Sequence, residues 1–137
     1  MSPQEAVSDA RLDYALTLVR VFVADFERSV RFYAETLGMP LSLRDDAAGW
    51  AQFDTGSAKL ALERASEADA ALVGRFLAIS LAVRDIDEIH DRLVGRGVEF
   101  LAAPVLMPWG GVVAHFYDPD RNVLTLVGPP LGSLLLG

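Results

Sequence analysis

The sequence predicts an α+β fold in which two βαβββ modules, written in tandem, form curved mixed sheets around a cavity. Three observations predict it. A strand, a capping aspartate, an amphipathic helix and a terminating glycine occur in that order twice. The two copies lie sixty residues apart, Val23-Ala24-Asp25 being matched by Val83-Arg84-Asp85. Each helix is followed by three short strand-like segments. A repeat of this kind makes each half one supersecondary unit that needs its neighbour for burial.

The first module covers residues 15–64. Its opening strand begins at Leu16, with Leu16, Leu18, Arg20 and Phe22 on one face and Thr17, Val19, Val21 and Val23 on the other. Both faces are largely apolar, which predicts a strand covered on both sides. Asp25 is a helix N-cap, Phe26, Val30, Tyr33 and Leu37 recur at helical spacing, and Gly38 supplies the stop. Residues 41–43, 50–54 and 59–63 alternate as short strands, separated by the turn formers Asp45, Asp46, Gly49 and Gly56. Residues 65–75 are a small-residue, acidic linker whose alanines favour a helical turn.

The second module covers residues 76–128. A strand at 77–83 leads to the cap Asp85, with Glu88 in capping-box position three residues later. Ile86, Ile89 and Leu93 form the helix stripe and Gly97 ends it. Residues 98–101, 112–117 and 123–127 are three further expected strands. Residues 1–14 show no clear period and read as an N-terminal arm. Residues 129–137, with two prolines and four leucines, read as a tail beyond the sheet.

Composition bounds the function. A chain of 137 residues, 52% apolar and 23% charged, is one ordinary globular domain. A chain this short buries only about two-thirds of its unfolded surface, so a homodimer is expected. The absence of cysteine excludes disulfides, thiolate metal sites and a cysteine nucleophile, and suits a reducing compartment. A net charge of −7 argues against nucleic-acid partners. No apolar run approaches the ~18–20 residues of a membrane span, and the polar start shows no signal peptide, so a cytoplasmic location is expected.

Two motifs carry a family resemblance. The run Val23-Ala24-Asp25-Phe26-Glu27-Arg28-Ser29-Val30-Arg31-Phe32-Tyr33, followed by Leu37-Gly38-Met39, resembles the first-helix signature of the vicinal oxygen chelate superfamily, which groups glyoxalases, bleomycin-resistance proteins and dioxygenases. Asp118-Pro119-Asp120-Arg121-Asn122 resembles its late turn, with arginine in the place of the usual glycine, and Pro108-Trp109-Gly110 is similar to many members. The resemblance covers most of the chain and implies the fold. It does not choose among isomerases, dioxygenases and pure binders.

The resemblance also implies where metal ligands would stand. They lie on the first and last strands of each module, at the positions of Leu18, Ala61, Ala78 and Thr125. Leucine and alanine offer no donor and a neutral threonine hydroxyl is a poor one, so neither a metal nor another cofactor is expected. Of the two histidines, His90 reads as lying on the solvated face of its helix. His115 lies within a strand, where it either hydrogen-bonds a ligand, acts as a base, or faces solvent or a dimer partner.

By two-residue alternation, Arg20 and Phe22 share the face of Leu18, Glu63 that of Ala61, and Ser80 that of Ala78. The expected wall is apolar with few polar groups, the make-up of a small-molecule pocket. Arg20 and Glu63 either pair with each other or serve a ligand: the guanidinium as an anion clamp, the carboxylate as a cation partner or base. Trp50 and Trp109, each beside a glycine, are candidate plates for a flat ligand. The expected ligand-binding set is therefore Arg20, Phe22, Trp50, Glu63, Ser80, Trp109, His115 and Thr125. The leading expectation is a metal-independent binding protein for antibiotic or metabolite sequestration. The alternative is a metal-free isomerase or lyase with His115 or Glu63 as base and Arg20 as anion clamp.

Overall fold

The computed structural model describes residues 12–129. Most of the expected N-terminal arm, up to residue 11, and the expected tail from residue 130 lie outside the described residues. Two four-stranded mixed sheets carry the fold. In the first, β1 (Leu18–Val23) runs parallel to β4 (Lys59–Arg64), followed by antiparallel β3 (Trp50–Phe53) and β2 (Leu41–Asp45). In the second, β5 (Phe76–Ala82) runs parallel to β8 (Val123–Gly128), followed by antiparallel β7 (Val112–Tyr117) and β6 (Val105–Leu106). Each sheet therefore has its module's first strand at one edge.

Helix α1 (Phe26–Arg31) packs on β4, and α2 (Ile86–Gly95) packs on β7 and β8. Both start as the sequence requires. The Asp25 carboxylate accepts from the Arg28 N–H at 3.1 Å, and the Asp85 carboxylate from the Glu88 N–H at 3.1 Å. The second capping box stays half-closed, because the Glu88 side chain turns forward to Arg92 at 2.6 Å, its i+4 neighbour. α1 continues as a wider π turn over Phe32–Thr36, closed by Leu37 N–H to Phe32 O at 2.9 Å and by Gly38 at φ +77°. The expected helical turn in the linker is a 3-10 helix over Glu67–Leu72.

One face of each sheet is buried under its helix. Val21, Val23, Leu60, Leu62 and Phe53 pack with Phe26, Val30 and Tyr33, and this cluster is continuous with Leu93, Phe116, Leu124 and Leu126 of the second module. Among the described residues, nothing is layered over the opposite faces. Arg20 is exposed, and Leu18 and Phe22 are half-buried. The expectation that β1 is covered on both sides is therefore not met by the described residues of one chain: apolar composition on a face states a need for cover, not its source.

Three other expectations need correction. Residues 98–101 do not form a strand. The segment keeps two hydrogen bonds to β7, Tyr117 N–H to Glu99 O and Leu101 N–H to His115 O, around one bridge from Phe100 to Phe116. Pro104 has no N–H for a ladder, and pairing resumes only at Val105. His90 is not on a solvated face: its side chain is 17% exposed and meets the Phe100 ring edge-on at 4.5 Å. Ala78, expected to stand in regular alternation, occupies an irregularity in β5. It has φ +55°, and the register steps from Phe76 opposite Val123 directly to Ser80 opposite Thr125.

The late turn locks the modules together. The Asp120 carboxylate accepts from Ala24 N–H at 2.8 Å, Asp25 N–H at 3.2 Å and the Ser29 hydroxyl at 3.1 Å, all in the first module. Buried Asn122 donates to Phe22 O at 3.0 Å and to the Asp118 carboxylate at 3.0 Å, and accepts from Gly74 N–H at 2.8 Å. Fully buried Tyr33 donates its hydroxyl to Asp118 at 2.8 Å. Arg121 does occupy the left-handed conformation, at φ +69°. Its guanidinium lies 3.6 Å from the centre of the Tyr117 ring and pairs with Glu99 at 2.7 Å.

Candidate functional site

The expected site residues fall on the open faces of the two sheets. On the first, Trp50 and Gln52 of β3, Ala61 and Glu63 of β4, and Leu18, Arg20 and Phe22 of β1 share one side by strand alternation. Arg20 pairs with Glu63 at 3.0 Å, with side chains 53% and 28% exposed, and its guanidinium lies 5.5 Å from the Phe22 ring centre. An ion pair this open contributes at most about 1 kcal/mol. It leaves both groups within reach of a ligand able to replace one partner. The Trp50 indole N–H donates to Gln52 at 2.9 Å, which fixes the ring plane against the sheet.

On the second sheet, Ser80, Thr125 and His115 stand side by side across β5, β8 and β7. His115 Nδ1 and the Thr125 hydroxyl share a hydrogen bond of 2.8 Å, and Phe76 meets the imidazole edge-on at 5.5 Å. Phe76, four residues before Ser80, shares this face by the same alternation and is half-exposed. Phe76 and Gln52 escaped the sequence reading for different reasons. Gln52 follows from the same alternation that selected Trp50. Phe76 precedes the expected strand start by one residue and so is given no face by the sequence pattern.

The structure therefore brings together Arg20, Phe22, Trp50 and Glu63 on one face, and Ser80, His115 and Thr125 on the other. Among the described residues, no side-chain hydrogen bond or ion pair joins the two sets within the chain. The two candidate bases divide: Glu63 stands beside the candidate clamp Arg20 on the first sheet, already paired with it, whereas His115 belongs to the other sheet. Trp109 belongs to neither set. It sits in the Met107–Gly110 turn before β7, 63% exposed, with its ring folded flat onto Gly111. A Cβ at residue 111 would stand 1.8 Å from that ring. Gly111→Ala is therefore expected to swing Trp109 outward. Its signature is a red-shifted, more readily quenched tryptophan emission with a melting temperature close to that of the parent.

The four positions that would hold a metal do not fit one. Leu18 lies opposite Lys59, Ala61 opposite Arg20, Ala78 in the irregularity of β5, and the Thr125 hydroxyl is engaged by His115. Among the described residues, no three histidine or acidic side chains converge as a donor set. Also among the described residues, no helix is long and apolar enough to cross a membrane.

Comparison with known proteins agrees with this geometry. A family model of the glyoxalase/bleomycin resistance protein/dioxygenase superfamily matches residues 11–126. An uncharacterized protein of Bacillus subtilis, YraH, is 34% identical over 123 residues, covering 81% of this chain and 95% of its own. The bleomycin resistance protein of Klebsiella pneumoniae is 29% identical over 110 residues, covering 75% of this chain and 83% of its own. The crystal structure of TnmS3, an antibiotic-binding protein of a Streptomyces species, superposes with a TM-score of 0.73 at 31% identity, covering 86% of this chain and 98% of that one. The chain belongs to the glyoxalase/bleomycin resistance protein/dioxygenase superfamily.

Proposed function

We propose that this protein is a metal-independent, homodimeric binding protein that sequesters a flat small molecule, an antibiotic or an aromatic metabolite. The observation that carries this reading is the chemistry of the open sheet faces. Where catalytic relatives need donors, they present Leu18, Ala61 and an engaged Thr125. Beside those residues stand the aromatic Trp50, Phe22 and Phe76 and few charges. A mostly apolar wall with a handful of fixed polar groups suits binding. The carboxylate beside the candidate clamp, Glu63, is held in an ion pair with Arg20, and His115 stands on the other sheet, which supports binding over proton abstraction.

The likeness to a bleomycin resistance protein and to an antibiotic-binding protein supports the same reading. The dimer is supported by the two open, partly apolar faces and by the edges of β1 and β5, which the described residues leave without cover. In a dimer, the first sheet of one copy facing the second sheet of the other would gather both sets of residues around one ligand.

Titration of the purified protein with a panel of planar antibiotics and aromatic acids, followed by tryptophan fluorescence, tests the proposal. Saturable quenching is expected with at least one compound. It should fall by about tenfold in apparent affinity in Trp50→Ala, the loss typical of one buried aromatic contact. Absence of quenching across the panel, or one stoichiometric metal ion per chain by elemental analysis, would overturn the reading.

A further inference from the structure

A separate cavity of about 600 Å³ lies on the other side of the second sheet, under α2 at the junction of the modules. Its walls include Leu37 and Met39 after α1, Leu81 of β5, Ile89 of α2, and Phe116 and Leu126 of β7 and β8. Leu81, Phe116 and Leu126 alternate with Ser80, His115 and Thr125, so the cavity lies on the opposite side of the sheet from His115 and Thr125 and meets the open face only along the edge strand β5, where Ser80 borders both. Its size suits a drug-sized or fatty ligand.

The mouth carries a charge that the walls do not need. Arg92 in the last turn of α2 and Arg96, which caps its C-terminal end, are four residues apart, and Asp54 approaches from the β3–β4 turn. Asp54 is neutralised by Lys59, and Arg92 by Glu88. Arg96 donates Nη1 to the carbonyl oxygen of Thr36 at 2.8 Å and, among the described residues, has no carboxylate partner. That bond anchors the guanidinium at the mouth while leaving other N–H groups of its fork to bind an anion. In a chain of net charge −7, a held cation over an apolar cavity is a selective feature.

We propose that this cleft binds a monocarboxylate with an apolar body, an alkanoic or arylalkanoic acid, its carboxylate on Arg96 and its body against Leu81, Ile89 and Phe116. The cleft shares only the edge residue Ser80 with the open-face set and none of Arg20, Phe22, Trp50, Glu63, His115 or Thr125, so binding at one can fail without the other failing.

The test is methyl-labelled NMR of the full chain titrated with octanoate, with 3-phenylpropanoate and with octan-1-ol. Either acid should shift the Leu81, Ile89 and Leu126 methyls saturably and leave the Trp50 and Trp109 indoles unmoved; the two acids then separate an alkyl from an aryl preference. Octan-1-ol, lacking the charge, should bind about tenfold or more weakly, the worth of a hydrogen bond to a charged group. Arg96→Met should cause a similar loss and Arg96→Lys a smaller one. Ser57→Glu, which adds a carboxylate to the exposed lip without touching the Arg96–Thr36 bond, should also weaken the acids and spare the alcohol. The proposal is overturned by methyls that do not move at millimolar acid, by equal binding of acid and alcohol, or by shifts confined to the open faces.

Discussion

Replacing Asn122 with alanine should lower stability by about 3 kcal/mol, since three buried or part-buried hydrogen bonds are lost at about 1 kcal/mol each. For a chain of this length that is a fall of about 10 °C in melting temperature. The side chain is fully buried and reaches three segments distant in sequence: Phe22 O at the end of β1, Gly74 N–H before β5, and Asp118 in its own turn. Asn122→Asp separates the hydrogen-bond account from one of simple space-filling. It keeps the volume and the acceptor for Gly74, but it sets a second carboxylate about 3 Å from Asp118. At neutral pH it should destabilise at least as much as alanine, and part of that loss should return on acidification as one carboxyl takes a proton. Thermal melts of the two variants at pH 5 and pH 8 check this. An Asn122→Asp protein as stable as the parent at pH 8 would show that the turn tolerates the charge and that the network is not what holds it.

The late turn shows how far the sequence could be read. The resemblance of Asp118-Pro119-Asp120-Arg121-Asn122 to a family motif was visible in the chain, and so were the caps Asp25 and Asp85 and the alternation of Val19, Val21 and Val23. These are local signals, and each element they predicted exists. The job of the turn was not legible, because the partners of Asp120 and Asn122 lie about a hundred residues away in sequence and only the fold brings them close. The same limit explains the site. Alternation assigned Arg20, Glu63 and Thr125 to faces, yet it could not say that Arg20 would pair with Glu63 or that the two sheets would present their faces separately. The irregularity at Ala78 marks the other limit. Alanine at φ +55° carries no glycine or proline to announce it, so a period-two reading runs straight through and misses the change of register against β8.

Tyr33→Phe should remove an alkaline destabilisation expected of the parent protein. Burial pushes the Tyr33 phenol well above its ordinary range, reinforced by the negative charge of Asp118 and the hydrogen bond to it. A group whose folded pKa is raised holds its proton more firmly in the native state. Its contribution is complete below the unfolded value of about 10 and is lost as the pH climbs above it. The parent should therefore lose stability above about pH 10 more steeply than Tyr33→Phe. At neutral pH the variant should be less stable by about 1–3 kcal/mol, because Asp118 loses a buried donor. Asp118 gives the opposite end of the profile. Burial raises its pKa against the bonds from Asn122, Tyr33 and the backbone, so the native state binds its proton more readily than the unfolded chain does. Through this group, stability declines as pH rises from the ordinary aspartate value to the raised one and is level above it. Asp118→Asn should flatten that segment of the curve. Urea melts of parent, Tyr33→Phe and Asp118→Asn from pH 4 to pH 11 resolve both ends. Parallel curves for parent and Tyr33→Phe above pH 10 would mean that the phenol ionises as freely in the folded protein as in the unfolded one, and that the Tyr33–Asp118 bond does not bind the modules together.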